Sequence, residues 1–557
     1  MRTFLRAAVA GVWLALISAA PAGAAPEVTE TAVHDEAPDA KKVELSYVSI
    51  RDPLPESVGP HPEACDSIGY LRFRHRRGPV EAKRADAVIT LMPGFLGGAS
   101  SFDSIARNVV RNAAAKKRFV EVWAIDRRAN CLEDHTGVDA AARAKDPMVA
   151  YDYYWGGKEV DGKTFGGFAD ASEGAFIGTF GLERTMRDWN TVITTGMPGQ
   201  RRRERKMICG GHSLGGPLTA AYSSWDFDGD AATDRDAGYK QCAGLVGLDT
   251  SLELGGGGGG GGAGTIGDAI GTGAPFVDVT PLSPETIQLT SIFGVGAFYR
   301  PQETGMNSRL PSTPKINVAQ RALFSRDAAH FATGSPDIRE FTVTNQGTLA
   351  GVFDDNSNPV GILRASLGSV TGGSLVDKNF PSPDPTLALP EDTSATYTWI
   401  PYRGVGANGS PIELNDEGEP YTTRESEVTD ITQFARAMFQ ERADFTEQYF
   451  PTRLLTEAAA EPGSFEDARY DGPAERPGLL IQAGDSGGNA DAPDDGPPQA
   501  GDQPPNDMPL SREIVLPGYN HLDVVAAARK QNDGRPEPAA KALTKFSLTV
   551  VRKAAGG

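Results

Sequence analysis

An apolar run that stops on a glycine-flanked serine constrains this chain more than any other feature. Met207-Ile208-Cys209-Gly210 leads into Gly211-His212-Ser213-Leu214-Gly215, a G-x-S-x-G pattern, and an alanine-rich stretch from Pro217 to Tyr222 follows. That order predicts a strand, a sharp turn and a helix. A turn this tight holds Ser213 in a strained backbone conformation at the strand tip, and side chains at 211 and 215 would clash. The strain lifts the hydroxyl clear of the sheet, where a histidine reaches it from one side and a substrate carbonyl from the other. In a chain with 65 glycines the short pattern is weak by itself, so the flanking strand and helix carry the reading.

The surroundings of the turn supply a repeating architecture. Val43–Ile50 and Ile68–His75 read as an opening pair of strands. Ala87–Met92 is a continuous apolar run of the kind buried on both faces, and Pro93-Gly94 ends it. A helix over Ser101–Ala115, a strand over Phe119–Ile125 and helical material around Leu182–Ile193 precede the serine strand; a strand over Ala243–Leu248 follows it. Alternation of this kind implies a mainly parallel sheet covered by helices on both faces. It breaks at eight consecutive glycines, 255–262, which read as a flexible loop. Buried-strand runs return only at Gly478–Ala483 and Glu513–Leu516, separated by a Pro/Gly/Asp-rich loop over 486–510. The expected organisation is a core over 43–254 and 478–557, interrupted by an insertion over 263–477. Within that insertion helical patches are expected at Ile316–Ala332 and Glu427–Ala459.

The amino terminus reads differently. Arg2 and Arg6 precede an apolar run from Ala7 to Ala20, and Ala22-Gly23-Ala24 is an A-x-A-type cleavage site. Residues 1–24 therefore read as a secretory signal peptide cleaved near Ala24, and polar residues 25–42 as a disordered leader. The expected location is outside the cytoplasm, secreted or in the cell envelope, without an integral membrane anchor. A net charge of −19 argues against nucleic-acid partners. The one basic run, Arg201-Arg202-Arg203-Glu204-Arg205-Lys206, reads as a solvated approach loop. Export permits disulfides among Cys65, Cys131, Cys209 and Cys242, whose three possible connectivities the sequence does not separate. No metal site is expected. Asp226-Phe227-Asp228-Gly229-Asp230 spaces its carboxylates as calcium loops do, but Ala231 and Ala237 stand where such a loop needs glycine and glutamate.

With these pieces in place the chain resembles the α/β-hydrolase family, whose members carry a serine nucleophile elbow, then an acid, then a histidine, in that order. The resemblance covers the core and says little about the insertion, which lies where the family places caps, after the sixth strand. It implies that Ser213 is the nucleophile. Only His330 and His521 follow Ser213. His330 sits on an apparent amphipathic helix of the insertion, whereas His521 follows the last strand, where the family holds its general base, ahead of a helix running to about Lys530. The acid has two candidates. Asp485, after Gly478–Ala483, follows the strand that usually carries it and is preferred; Asp249, ending the strand in Gly247-Leu248-Asp249-Thr250, is the alternative. The resemblance assigns the oxyanion hole to the N–H groups of Leu214 and of Phe95, with Leu96 as the near alternative to Phe95, in the turn Pro93-Gly94-Phe95-Leu96-Gly97-Gly98. Asp126-Arg127-Arg128 matches a structural turn of the family and receives no chemistry. The resemblance implies an exported serine hydrolase that cleaves small or lipid-like carboxylic esters through an acyl-enzyme and needs no cofactor. An amidase using the same residues, or a non-catalytic envelope protein keeping the fold, are the alternatives.

Overall fold

A computed structural model describes residues 26–255, 273–407, 412–460, 463–485, 512–532 and 534–556. The expected signal peptide, the glycines from 256 to 262 and the 486–510 loop lie outside the described residues.

Seven strands build the first part of the main sheet: β1 (Val28–Ala32), β2 (Val43–Arg51), β3 (Ser67–His75), β4 (Ala87–Met92), β5 (Val120–Asp126), β6 (Met207–His212) and β7 (Gly244–Leu248). The insertion carries β8 (Thr342–Val343), β9 (Gly368–Thr371), β10 (Leu375–Asp377), β11 (Ala388–Pro390) and β12 (Thr396–Pro401), in two small sheets. The main sheet is then completed by β13 (Gly478–Ala483) and β14 (Arg512–Leu516). Its order is β1-β2-β3-β5-β4-β6-β7-β13-β14. The pairs from β1 to β5 are antiparallel, and every pair from β5 to β14 is parallel. This order, with β4 and β5 exchanged and the serine strand central, is that of the α/β-hydrolase fold.

The core forms because β4 and β5 are buried along their whole length and need a cover on each face. One face packs Ile105, Val109 and Val110 of helix Asp103–Ala115, with Ala540 and Leu543 of helix Pro538–Gly556. The other packs Met186 and Trp189 of helix Leu182–Gly196 and Leu218 of helix Gly215–Ser224. Trp189 spends its one donor on Thr90 Oγ1 at 2.8 Å, so a large ring is buried without an orphaned N–H. The insertion has a core of its own around helices Asn345–Phe353 and Ile431–Met438, both packed on helix Pro284–Tyr299. Among the described residues no helix is long and apolar enough to cross a membrane.

Several expectations are corrected. The leader over 25–42 is not disordered where described: β1 pairs with β2, and Glu30 takes Arg72 at 3.1 Å. Asp35 and Asp39 pair with the buried Arg107 at 2.9 and 3.0 Å. Its polarity reflects charged partners far along the chain. The basic run is helical from Gln200 to Lys206. The helix after His521 ends at Ala526, and the C-terminal helix Pro538–Gly556 takes its place against the sheet. The 316–332 patch is two helices, Pro314–Phe324 and Ala328–Thr333, and the 427–459 patch is Ile431–Met438 and Thr452–Ala458.

The cysteines resolve into Cys65–Cys131 and Cys209–Cys242, spanning 66 and 33 residues. The second ties the serine strand to the chain entering β7. Cross-links of that span stabilise by about 3 to 4 kcal/mol on a chain-entropy basis. The pair Cys209→Ala and Cys242→Ala is expected to lose about that much in urea unfolding, and non-reducing peptide mapping of the native protein should recover these two bridges.

Candidate active site

The turn after β6 is as tight as the sequence implies. Ser213 has φ of 54°, a left-handed conformation that non-glycine residues seldom adopt. A Cβ on Gly211 would sit 2.2 Å from the Gly215 carbonyl oxygen, and one on Gly215 would sit 2.1 Å from that of Met92. Both glycines are therefore required by close backbone approach. The chain at Ser213 is fastened on both sides: its N–H donates to Leu248 O at 3.1 Å, and Thr250 Oγ1 donates to its carbonyl at 2.6 Å.

The 93–98 turn lies directly against the serine. A Cβ on Gly94 would be 2.8 Å from Ser213 Cβ and 3.4 Å from Oγ. Among the described residues neither the Phe95 N–H nor the Leu214 N–H has an acceptor, so two donors beside Ser213 are left for a ligand. This turn is held by a residue for which sequence reasoning found no chemistry. Arg127 donates to the carbonyls of Pro93, Gly94 and Gly97 at 2.7, 2.6 and 2.9 Å, and its Nε donates to Glu447 Oε2 at 2.7 Å. One guanidinium, buried with its carboxylate, thus fixes three carbonyls of the turn.

The structure brings His521 to Asp249, not to Asp485. His521 Nδ1 and Asp249 Oδ2 are 2.5 Å apart, and both side chains are buried. Asp249 Oδ1 accepts from Ala483 N at 2.8 Å, and the residue itself has φ of 46°. Burial pushes the Asp249 carboxyl up, but the hydrogen bond and charge of His521 outweigh it and hold the group below the usual range. Asp485 makes no hydrogen bond to His521; its N–H donates to Tyr519 O at 3.0 Å. Burial raises the Asp485 carboxyl, opposed by a bond from the Gly518 N–H. The reason is positional: β7 adjoins β6 directly, and β13 lies one strand farther out. With Nδ1 engaged, Nε2 is the His521 nitrogen left for Ser213. Among the described residues no hydrogen bond yet joins them, and such bonds often tighten only with substrate bound.

Two further residues orient His521. His212 Nε2 donates to the His521 carbonyl at 3.0 Å, with ring centroids 4.4 Å apart. Burial, aided by the charge of His521, pushes His212 down to about 3, so it stays neutral. Asp523, fully buried, accepts from Asn520 N and Ser366 Oγ, both at 2.8 Å, and from Thr429 Oγ1 at 2.5 Å. Burial raises its carboxyl to about 6 despite these donors. Asn520 Nδ2 also donates to Asp355 Oδ2 at 2.6 Å. The histidine loop is thereby bonded to the insertion. His330 is elsewhere, its Nε2 on the Pro336 carbonyl at 2.8 Å. Asp226, Asp228 and Asp236 approach within 4.8 Å of one another, but Arg469 already stands 3.2 Å from Asp226.

No family model and no curated protein matches the chain. Solved structures do. A lipase in its open form aligns over 87% of this chain and 95% of its own, at 10% identity and a TM-score of 0.27. A putative epoxide hydrolase from Klebsiella pneumoniae aligns over 94% and 97%, at 10% identity and 0.28. A peroxisomal alpha-beta-hydrolase from Saccharomyces cerevisiae aligns over 94% and 89%, at 11% identity and 0.31. Likenesses this distant say nothing about the reaction. The α/β-hydrolase fold is defined by the strand order and by the elbow at its centre.

Two outcomes are expected of substitution. Asp249→Asn should lower hydrolytic turnover by about three to four orders of magnitude by disturbing the histidine tautomer, while Asp485→Asn stays within a few-fold. Asp523→Asn, which replaces an acceptor of backbone N–H bonds with an amide, should lower kcat by about ten-fold with KM little changed, since it acts through His521.

Proposed function

We propose that this protein is a serine hydrolase that cleaves carboxylic esters through an acyl-enzyme. The observation that carries the reading is the Asp249–His521 hydrogen bond beside a serine in a strained strand-to-helix turn. Ser213 Oγ attacks the acyl carbonyl as His521 Nε2 takes its proton. Asp249 holds the imidazole in the tautomer with Nδ1–H and stabilises the imidazolium that forms. The developing oxyanion is met by the N–H groups of Phe95 and Leu214. The same histidine then protonates the leaving alcohol and later activates a water that attacks the acyl-enzyme, restoring Ser213.

Phe95 meets Phe450 edge-on at 5.0 Å beside the oxyanion turn, which favours substrates with an apolar acyl or alcohol group. We place the mature protein outside the cytoplasm, on the leader at 1–24 and on two disulfides that use all four cysteines.

A fluorophosphonate probe tests the reading. It should label the native protein stoichiometrically and leave Ser213→Ala unlabelled; no labelling of the folded protein would contradict it. Turnover of p-nitrophenyl esters should exceed that of aminoacyl anilides, and the reverse order would make the protein an amidase.

A further inference from the structure

The charge of the molecule reverses at the end of the sheet opposite Ser213. Asp86 immediately precedes β4, Arg118 lies just before β5, and Lys206 just before β6. These residues mark the amino ends of parallel strands whose carboxyl ends carry Ser213 and the 93–98 turn, about 20 Å away for six-residue strands. A cleft of about 810 Å³ opens there between helix Gln200–Lys206, helix Pro538–Gly556 and the chain entering β4. Six arginines line it: Arg84, Arg118, Arg201, Arg202, Arg205 and Arg552. Lys116 and Lys206 add two ammonium groups, and Asp86 is the sole carboxylate among the lining residues. This stands in a chain of net charge −19.

Among the described residues, Arg201, Arg202, Arg552 and Lys116 form no ion pair with a carboxylate. Arg118 bonds Asp86 at 3.1 Å, and Arg84 reaches Glu81 outside the cleft at 3.1 Å. Lys206 Nζ donates to the Ala85 carbonyl at 2.7 Å, and burial pulls its ammonium down from the usual range. A carbonyl satisfies the donor but cancels no charge. Cations crowded on one wall repel one another, and a multivalent anion that bridges them relieves the repulsion.

The chemistry of the lining narrows the ligand. Guanidinium forks match pairs of phosphate oxygens, and here arginine outnumbers lysine six to two. No aromatic side chain lines the cleft, so bases of a single-stranded nucleic acid would find nothing to stack on. Leu548 and Val551 supply a small apolar floor. We propose that this cleft binds a linear phosphate polyanion, a chain of phosphate groups without bases. The site is remote from Ser213, and the proposal does not depend on the hydrolase reading.

The test uses the full chain and fluorescently labelled long-chain inorganic polyphosphate, with anisotropy read against rising NaCl. Saturable binding is expected, its log affinity falling linearly with log salt and weakening by about ten-fold or more in Arg201→Glu with Arg552→Glu. Thermal melting and fluorophosphonate labelling should be unchanged in that variant. The milder Arg201→Gln with Arg552→Gln, expected to weaken binding in the same direction, replaces it if charge reversal unfolds the chain. Absence of saturable binding, or equal affinity in the folded variant, would overturn the proposal. So would displacement of polyphosphate by oligothymidine, or by phosphatidylglycerol vesicles, at lower charge concentration than unlabelled polyphosphate.

Discussion

The site depends on one hydrogen bond that closes across 272 residues of sequence, from Asp249 at the end of β7 to His521 beyond β14. For that bond to form, the chain must leave the sheet after β7, traverse the insertion, and return so that β13 and β14 add in parallel beside β7. The pairing of Ile481 with Leu248 brings Ala483 N to Asp249 Oδ1, so the register of β13 also orients the acid. Asp249 has φ of 46° and Ser213 φ of 54°, at the ends of the neighbouring strands β7 and β6. Such backbone strain persists only where the surroundings over-determine it, and here neighbouring strands and glycine contacts do so.

The insertion is more than a cover. It supplies Glu447, which holds Arg127, which holds the 93–98 turn; Leu96 O also accepts from Glu447 N at 2.8 Å. It supplies Ser366, Thr429 and Asp355, which hold the loop carrying His521. The 93–98 turn and the His521 imidazole are therefore framed by the same inserted unit. A carboxylate as deeply buried as Asp523 is costly to keep unless every lone pair is used, and its four donors come from both sides of this junction. The geometry of the candidate site and the packing of the insertion stand or fall together.

What the sequence makes legible follows from how local each signal is. Ala87–Met92 and Met207–Gly210 are apolar on both faces and declare buried parallel strands; Gly211, Gly215 and Gly94 are demanded by contacts within a few residues or with the adjacent strand. His521 stands out because only two histidines follow Ser213. The choice between Asp249 and Asp485 was not legible, because both end buried strands and only strand order distinguishes them. Likewise Asp35 and Asp39 look like a solvated leader until Arg107 is found beside them. Helix Gln200–Lys206 was hidden by its run of like charge. Arg127 and Asp523 act on backbone carbonyls and N–H groups of distant segments, which leaves no mark in residue spacing.

The central claim is that Ser213, His521 and Asp249 act as one unit facing the N–H groups of Phe95 and Leu214. A crystal structure of the covalent adduct with an alkyl phosphonate tests it most directly. The account predicts phosphorus bonded to Ser213 Oγ, with the phosphoryl oxygen about 3 Å from both N–H nitrogens. It also predicts His521 Nδ1 still on Asp249. Phosphorus on another residue, a phosphoryl oxygen turned away from Phe95 and Leu214, or His521 paired with Asp485 would contradict it.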